Sequence, residues 1–112
     1  MNIYKYTSRN ENDTVALAQN IESEKFPNMV ICLDGELGSG KTVFVKGFAH
    51  ALGIEDYFSK GGVTLIEWSD IITDILPDER LQINIKVISE NGRVFELIPY
   101  GEKYEELCNF VL

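Results

Sequence analysis

The sequence predicts an α/β domain built around a phosphate-binding loop, and three observations predict it. Met29-Val30-Ile31-Cys32-Leu33 is a continuous apolar, β-favouring run; Gly35-Glu36-Leu37-Gly38-Ser39-Gly40-Lys41-Thr42 follows it; and Phe44, Val45, Phe48, Ala49 and Leu52 then recur with a helical period. Such a run suits a parallel strand covered on both faces. Strand, glycine-rich loop and helix is the order in which a Walker A loop works. The loop pattern alone should arise by chance in on the order of one chain in a few hundred of this length. Its placement between these two elements is what gives it weight, against the plainer reading of a glycine-rich turn that holds no ligand.

The chain has 112 residues, 45% of them hydrophobic, which fits a single domain over 1–112. A domain of this size can bury roughly two thirds of its unfolded surface. No apolar stretch approaches the roughly 20 residues of a membrane span, and Met1-Asn2-Ile3-Tyr4-Lys5 has no signal-peptide pattern. The expectation is a cytoplasmic protein without a membrane contact. The formal charge of −8 argues against direct nucleic-acid binding, which rests on clustered Lys and Arg. It does not exclude a nucleotide, because surface repulsion is screened over about 8 Å while a phosphate loop acts at contact. Cys32 and Cys108 lie in apolar settings with no CxxC or His cluster, and read as buried thiols.

The remaining elements follow from pattern. Ser8 and Glu11 form a Ser-x-x-Glu capping box ahead of a helix carrying Val15, Ala18 and Ile21, which ends before Phe26-Pro27. The loop helix runs from Lys41 and stops at Gly53. Val63 to Ile66 is a second buried-strand run ending in Glu67-Trp68, and a short helical stretch follows around Ile71 to Leu76. Leu81, Ile83, Ile85 and Val87 alternate with polar residues, and Asn91-Gly92 separates them from Val94 to Ile98, which predicts a β-hairpin with one wet face. Tyr104, Leu107, Cys108 and Val111 mark a closing amphipathic helix.

The chemistry lies in the loop. Gly35 and Gly40 let the backbone curl until its N–H groups face phosphate oxygens, and the helix N-terminus adds partial positive charge. Lys41 can reach the β- and γ-phosphates, and the Thr42 hydroxyl is placed to ligate Mg²⁺. Glu67, at the C-terminal end of a strand, lies where open α/β sheets place their ligand crevice, so it either serves a metal or water there or simply faces solvent. Trp68 either packs beside the nucleotide or plugs the core edge. Arg93, just after the Asn91-Gly92 turn, either reaches a phosphate or is solvated. Asp34 reads as a local hydrogen-bonding residue, and His50 as a residue of the exposed or boundary side of its helix with no chemical role.

In order, Asp34 to Thr42, Phe44-Val45-Lys46-Gly47-Phe48-Ala49, Ala51-Leu52-Gly53-Ile54 and Leu65-Ile66-Glu67-Trp68 closely resemble the TsaE (YjeE) family, in register over nearly the whole chain. The resemblance implies a P-loop nucleoside-triphosphate-binding fold, a mixed sheet with flanking helices, and a bacterial ATPase. Such proteins act with TsaD and TsaB in making threonylcarbamoyladenosine in tRNA. It implies ATP and Mg²⁺ as ligands. The residues implied for the nucleotide are Glu11, Gly35, Gly38, Ser39, Gly40, Lys41, Thr42, Val43, Trp68 and Arg93, with Thr42 and Glu67 at the metal and Glu67 as catalytic carboxylate.

The chain also departs from the family pattern. A Thr-Ser-Pro-Thr-like switch segment and a His-x-Asp-x-Tyr-Arg-like segment, expected between the loop helix and the Glu-Trp strand, do not occur, and one Gly53-Ile54-Glu55-Asp56-Tyr57-Phe58 stands for two Gly-Ile-like stretches. The pattern is that of an internal deletion. Binding survives such a loss more easily than phosphoryl transfer, which depends on positioned water and stabilised charge. Two functions therefore follow: an ATP-binding or ATPase component of the tRNA-modification machinery, or a non-hydrolysing nucleotide-binding interaction module. A small-molecule kinase is disfavoured, since no arginine-bearing lid is evident.

Overall fold

A computed structural model describes residues 2–36, 38–57, 62–67 and 76–112. Its elements are β1 (Tyr4–Ser8), α1 (Glu11–Ser23), β2 (Val30–Gly35), α2 (Lys41–Tyr57), β3 (Thr64–Glu67), β4 (Arg80–Val87), β5 (Arg93–Tyr100) and α3 (Glu102–Val111). The five strands form one sheet in the order β1-β5-β4-β2-β3. β2 runs parallel to both neighbours, whereas β4–β5 and β1–β5 are antiparallel. The α/β class and mixed sheet are therefore as the sequence predicts.

Register explains where the core sits. Ile31 pairs with Leu81, Leu33 with Ile83, Ile83 with Leu97 and Ile85 with Phe95, so these side chains share one sheet face. All belong to one buried cluster with Leu17, Ala18 and Ile21 of α1, Phe44 and Phe48 of α2, and Tyr104, Leu107 and Cys108 of α3. The three described helices thus cover the same face. The opposite face carries Cys32, Asp34, Gln82, Asn84 and Glu96. It is less wet than the alternation predicts: Gln82 is buried and donates from Nε2 to Asp34 Oδ2 at 2.5 Å and to Asn84 Oδ1 at 3.1 Å. This gives Asp34 the local hydrogen-bonding role expected of it. Cys32 and Cys108 are buried free thiols, also as expected.

Several boundaries differ from the sequence reading. β1 is a strand the pattern does not announce; it closes the sheet edge against β5, and Tyr4 fastens it to α3 by donating to Asn109 Oδ1 at 2.8 Å and Glu105 Oε2 at 3.0 Å. The N-cap of α1 is Asn10, whose Oδ1 accepts from the Asp13 N–H at 2.9 Å, while Asp13 Oδ2 accepts from the Arg9 N–H at 2.9 Å. The box is displaced by two residues because Ser8 is spent in β1, where its Oγ donates to the Asn10 carbonyl. α2 continues through Gly53 to Tyr57. β3 lies directly beside β2 with Val30 opposite Thr64 and Leu33 opposite Glu67, so the short connection leaves no gap. It is the sheet's edge, and its apolar residues are half-buried rather than buried. Leu37, Trp68 and most of the stretch expected to be helical, 71–75, lie outside the described residues.

Candidate functional site

The parallel strand β2 delivers Gly35 to the end of the sheet, and the chain turns back there before α2 begins at Lys41. Three glycines make the turn possible. Gly38 and Gly40 have φ of 81° and 105°, which an L side chain rarely adopts, and a Cβ at either would meet nothing within 4 Å. Gly35 matters for a different reason: a Cβ there would lie 2.5 Å from Ser39 Oγ and 3.2 Å from both Ile85 Cβ and the Ile85 carbonyl. The curl therefore belongs to Gly38 and Gly40, and Gly35 is required by close approach. The Ser39 N–H donates to the Glu36 carbonyl at 2.9 Å, and the Phe44 N–H reaches the Gly40 carbonyl at 3.1 Å, joining loop to helix.

Two cations grip this loop. Lys41, buried at 8% exposure, donates from Nζ to the Gly35 carbonyl at 2.5 Å. Arg93 donates from Nε to the Ser39 carbonyl at 2.9 Å and from Nη2 to the Gly38 carbonyl at 3.2 Å. Its Nη1 donates to the carbonyls of Ser89, Glu90 and Gly92 in the β4–β5 turn. The arginine is half-buried, with its guanidinium engaged by loop and turn carbonyls.

An open cleft of 660 Å³ lies over the loop. Gly38, Ser39, Gly40, Lys41, Thr42 and Val43 form its floor, Asn10, Glu11 and Thr14 at the opening of α1 form one wall, and Glu90, Asn91 and Arg93 form the other. The structure thus brings together most of the residues singled out from the sequence, including Glu11 and Arg93, which come from opposite ends of the chain. Gly35 lies beneath the floor. Glu67 is exposed at the end of β3, on the face of Leu33, and is not among the described residues lining the cleft. His50 is exposed, as expected.

Sequence reasoning missed Asn10, Thr14, Glu90 and Asn91 as cleft residues. Asn10 was legible as an N-cap type, since Asn is a preferred capping residue, but nothing local shows that the β4–β5 turn reaches the loop. No group of three or more His, Cys, Asp or Glu able to hold a metal occurs among the described residues. What the arrangement can do is hold an anion: backbone freedom at two glycines, a helix N-terminus and two cations meet in one cleft within a chain of net charge −8.

Comparison with known proteins agrees with this geometry. Residues 8–56 match the family described as Threonylcarbamoyl adenosine biosynthesis protein TsaE. A Bacillus subtilis protein named tRNA threonylcarbamoyladenosine biosynthesis protein TsaE is 32% identical over 143 aligned positions, covering 93% of this chain and 90% of that protein. An Aquifex aeolicus protein of the same name is 48% identical over 46 residues, 41% of this chain and 35% of that one. The crystal structure of Bacillus subtilis YdiB superposes with a TM-score of 0.89 at 32% identity, covering 98% of this chain and 94% of the other. The 143 aligned positions exceed the 112 residues of this chain, so the relative contains residues with no counterpart here. The family match also stops at residue 56, beside the shared Gly53-Ile54 where the shortening is read from the sequence. With the loop, the sheet and the sequence in agreement, the chain belongs to the TsaE family, in a shortened form.

Proposed function

We propose that this chain binds Mg-ATP in the cleft over residues 38–43 and serves, with TsaD- and TsaB-type partners, in the biosynthesis of threonylcarbamoyladenosine in tRNA. One observation carries the binding half of the reading: Gly38 and Gly40 hold the loop in a conformation that leaves open space above it, with Lys41 and Arg93 anchored on its carbonyls. Phosphate oxygens can approach such a backbone without meeting a side chain. The biosynthetic half rests on family membership and on the names its relatives bear. A cytoplasmic setting, beside tRNA, belongs to the same reading.

Mg²⁺ would be held by hard oxygen donors, for which Thr42 and Glu67 are suited. The Thr42 hydroxyl lines the cleft in the first turn of α2, and Glu67 ends the parallel strand beside β2 on the sheet face shared with Leu33. Bound Mg²⁺ neutralises phosphate charge, and the Glu67 carboxylate is assigned to the metal or its water. The nucleotide contacts of Glu11, Val43 and Trp68 complete the assignment. The chain itself is no direct reader of nucleic acid, given its charge; tRNA is met through the partners. Among the described residues, no helix is long and apolar enough to cross a membrane.

Calorimetric titration of Mg-ATP into the wild type and Lys41→Ala tests the reading. Loss of a charge-assisted phosphate contact should weaken binding by about 1.5 to 3 kcal/mol, roughly tenfold or more. Equal affinity in the two proteins, or no binding to the folded wild type, would remove the nucleotide site, and failure to co-purify with the two partners would remove the pathway assignment.

A further inference from the structure

Arg93 opens β5, where its main chain pairs with Val87 of β4 on one side and Ser8 of β1 on the other. Ser8 in turn touches the start of α1 through the Asn10 carbonyl and Thr14 Oγ1. Arg93 therefore stands where the loop and both cleft walls converge. Each of its five hydrogen bonds ends on a main-chain carbonyl: Gly38 and Ser39 in the loop, and Ser89, Glu90 and Gly92 in the β4–β5 turn.

We propose that Arg93 is a positioning residue that sets the phosphate loop for the nucleotide's phosphates by holding the Gly38 and Ser39 carbonyls and tying them to the β4–β5 turn. The proposal rests on the cleft being the nucleotide site. A peptide unit is planar and trans, so a Ser39 carbonyl fixed toward Arg93 turns the Gly40 N–H of the same plane the opposite way. Adjacent carbonyls held by one planar fork fix two successive planes at once. The loop needs this, because Gly38 and Gly40 have more backbone freedom to lose than other residues. Ordering them before the ligand arrives removes that loss from the binding step. The requirement is for the geometry of a guanidinium. Lysine supplies the same charge on a single compact head and cannot reproduce the fork.

Two variants separate geometry from charge: Arg93→Lys and Arg93→Gln, in the full chain, with circular dichroism to establish folding. Both are expected to weaken Mg-ATP and Mg-ADP alike, by about tenfold or more. In ligand-free protein, both should speed amide hydrogen exchange at residues 38–40 and 89–92 together. Three results overturn the proposal: binding by Arg93→Lys within about twofold of the wild type while Arg93→Gln is weakened, which would make the role one of charge; a loss confined to ATP, which would mean direct contact with the terminal phosphate; or loop exchange unchanged in both variants. If the wild type binds neither nucleotide, the nucleotide reading fails, and the ligand-free exchange still decides whether Arg93 sets the loop.

Discussion

Ser39 Oγ lies directly over Gly35, so close that a Cβ on Gly35 would stand 2.5 Å from it. That hydroxyl is buried and, among the described residues, has no hydrogen-bond partner. A buried, unpaired hydroxyl does not stabilise the fold. The two residues bracket the turn of the loop, so the space between them decides how tightly it closes.

A double-mutant cycle follows. Gly35→Ala should destabilise the protein by about 1 to 3 kcal/mol through overpacking, and nucleotide binding should fall with it. Ser39→Ala should be neutral to slightly stabilising. In Gly35→Ala/Ser39→Ala the closest clash is gone while the 3.2 Å contacts to Ile85 remain, so part of the lost stability should return. Additive melting data across the four proteins would show that the hydroxyl is not what excludes a side chain at Gly35.

The cap of α1 gives a second test, because two caps compete for it. The structure assigns the helix start to Asn10 and Asp13, and the sequence pattern to Ser8 and Glu11. Asn10→Ala should cost about 1 kcal/mol and Asn10→Asp much less. Glu11→Gln should leave the melting temperature within error, since Glu11 is exposed. A larger effect at Glu11 than at Asn10 would return the cap to the other register.

What could be read from the sequence depended on distance along the chain. The loop was legible because strand, turn and helix are contiguous, and each residue type answers to a local need. The hairpin was legible for the same reason, through alternation and Asn91-Gly92. β1 was not: Tyr4, Tyr6 and Ser8 make a strand only because Leu97, Phe95 and Arg93 lie opposite them. The cleft walls had the same difficulty. Nothing near Arg93 in sequence says that its guanidinium meets Ser39; position left it divided between phosphate and solvent, and the family resemblance pointed to it and to Glu11. Spacing left Glu67 divided between metal and solvent. The structure puts it at an exposed strand end, on the sheet face of Leu33.

Gly47 lies where the two helices that frame the site approach closely. A Cβ there would stand 3.2 Å from Val15 Cα and 3.3 Å from Ala18 Cβ. Gly47→Ala gains helix propensity of about 1 kcal/mol but must push α1 away by a few tenths of an ångström, so its net effect on stability should be small. Gly47→Val cannot be accommodated that way and should lose about 1 to 3 kcal/mol. Because α1 carries Asn10 and Glu11 into the cleft, nucleotide affinity should fall for both variants, including the one whose stability hardly changes. Unchanged affinity in a stable Gly47→Ala would show that the α1 wall is not positioned by this contact.

The alkaline limb of stability offers the last prediction, since several buried or half-buried groups shift the same way. Burial pushes the Cys108 thiol up from 9.0 to about 12, with the Glu105 carboxylate adding to it. Burial likewise raises the Tyr6 and Tyr104 hydroxyls above their usual 10.0; the Val30 N–H that donates to Tyr104 opposes this only in part. In each case the folded state holds its proton more tightly than the unfolded chain. The stability the Cys108 thiol contributes is therefore complete below about pH 9 and is lost as pH rises toward 12; that of the two tyrosines is complete below about pH 10 and is lost above it. The melting temperature should be flat with respect to Cys108 at neutral pH and begin to fall near pH 9, before the tyrosines titrate. Cys108→Ala removes the first of these groups, so between about pH 9 and 10 its melting temperature should decline less steeply than that of the wild type. Parallel slopes in that interval would mean that the thiol is not held protonated by the fold.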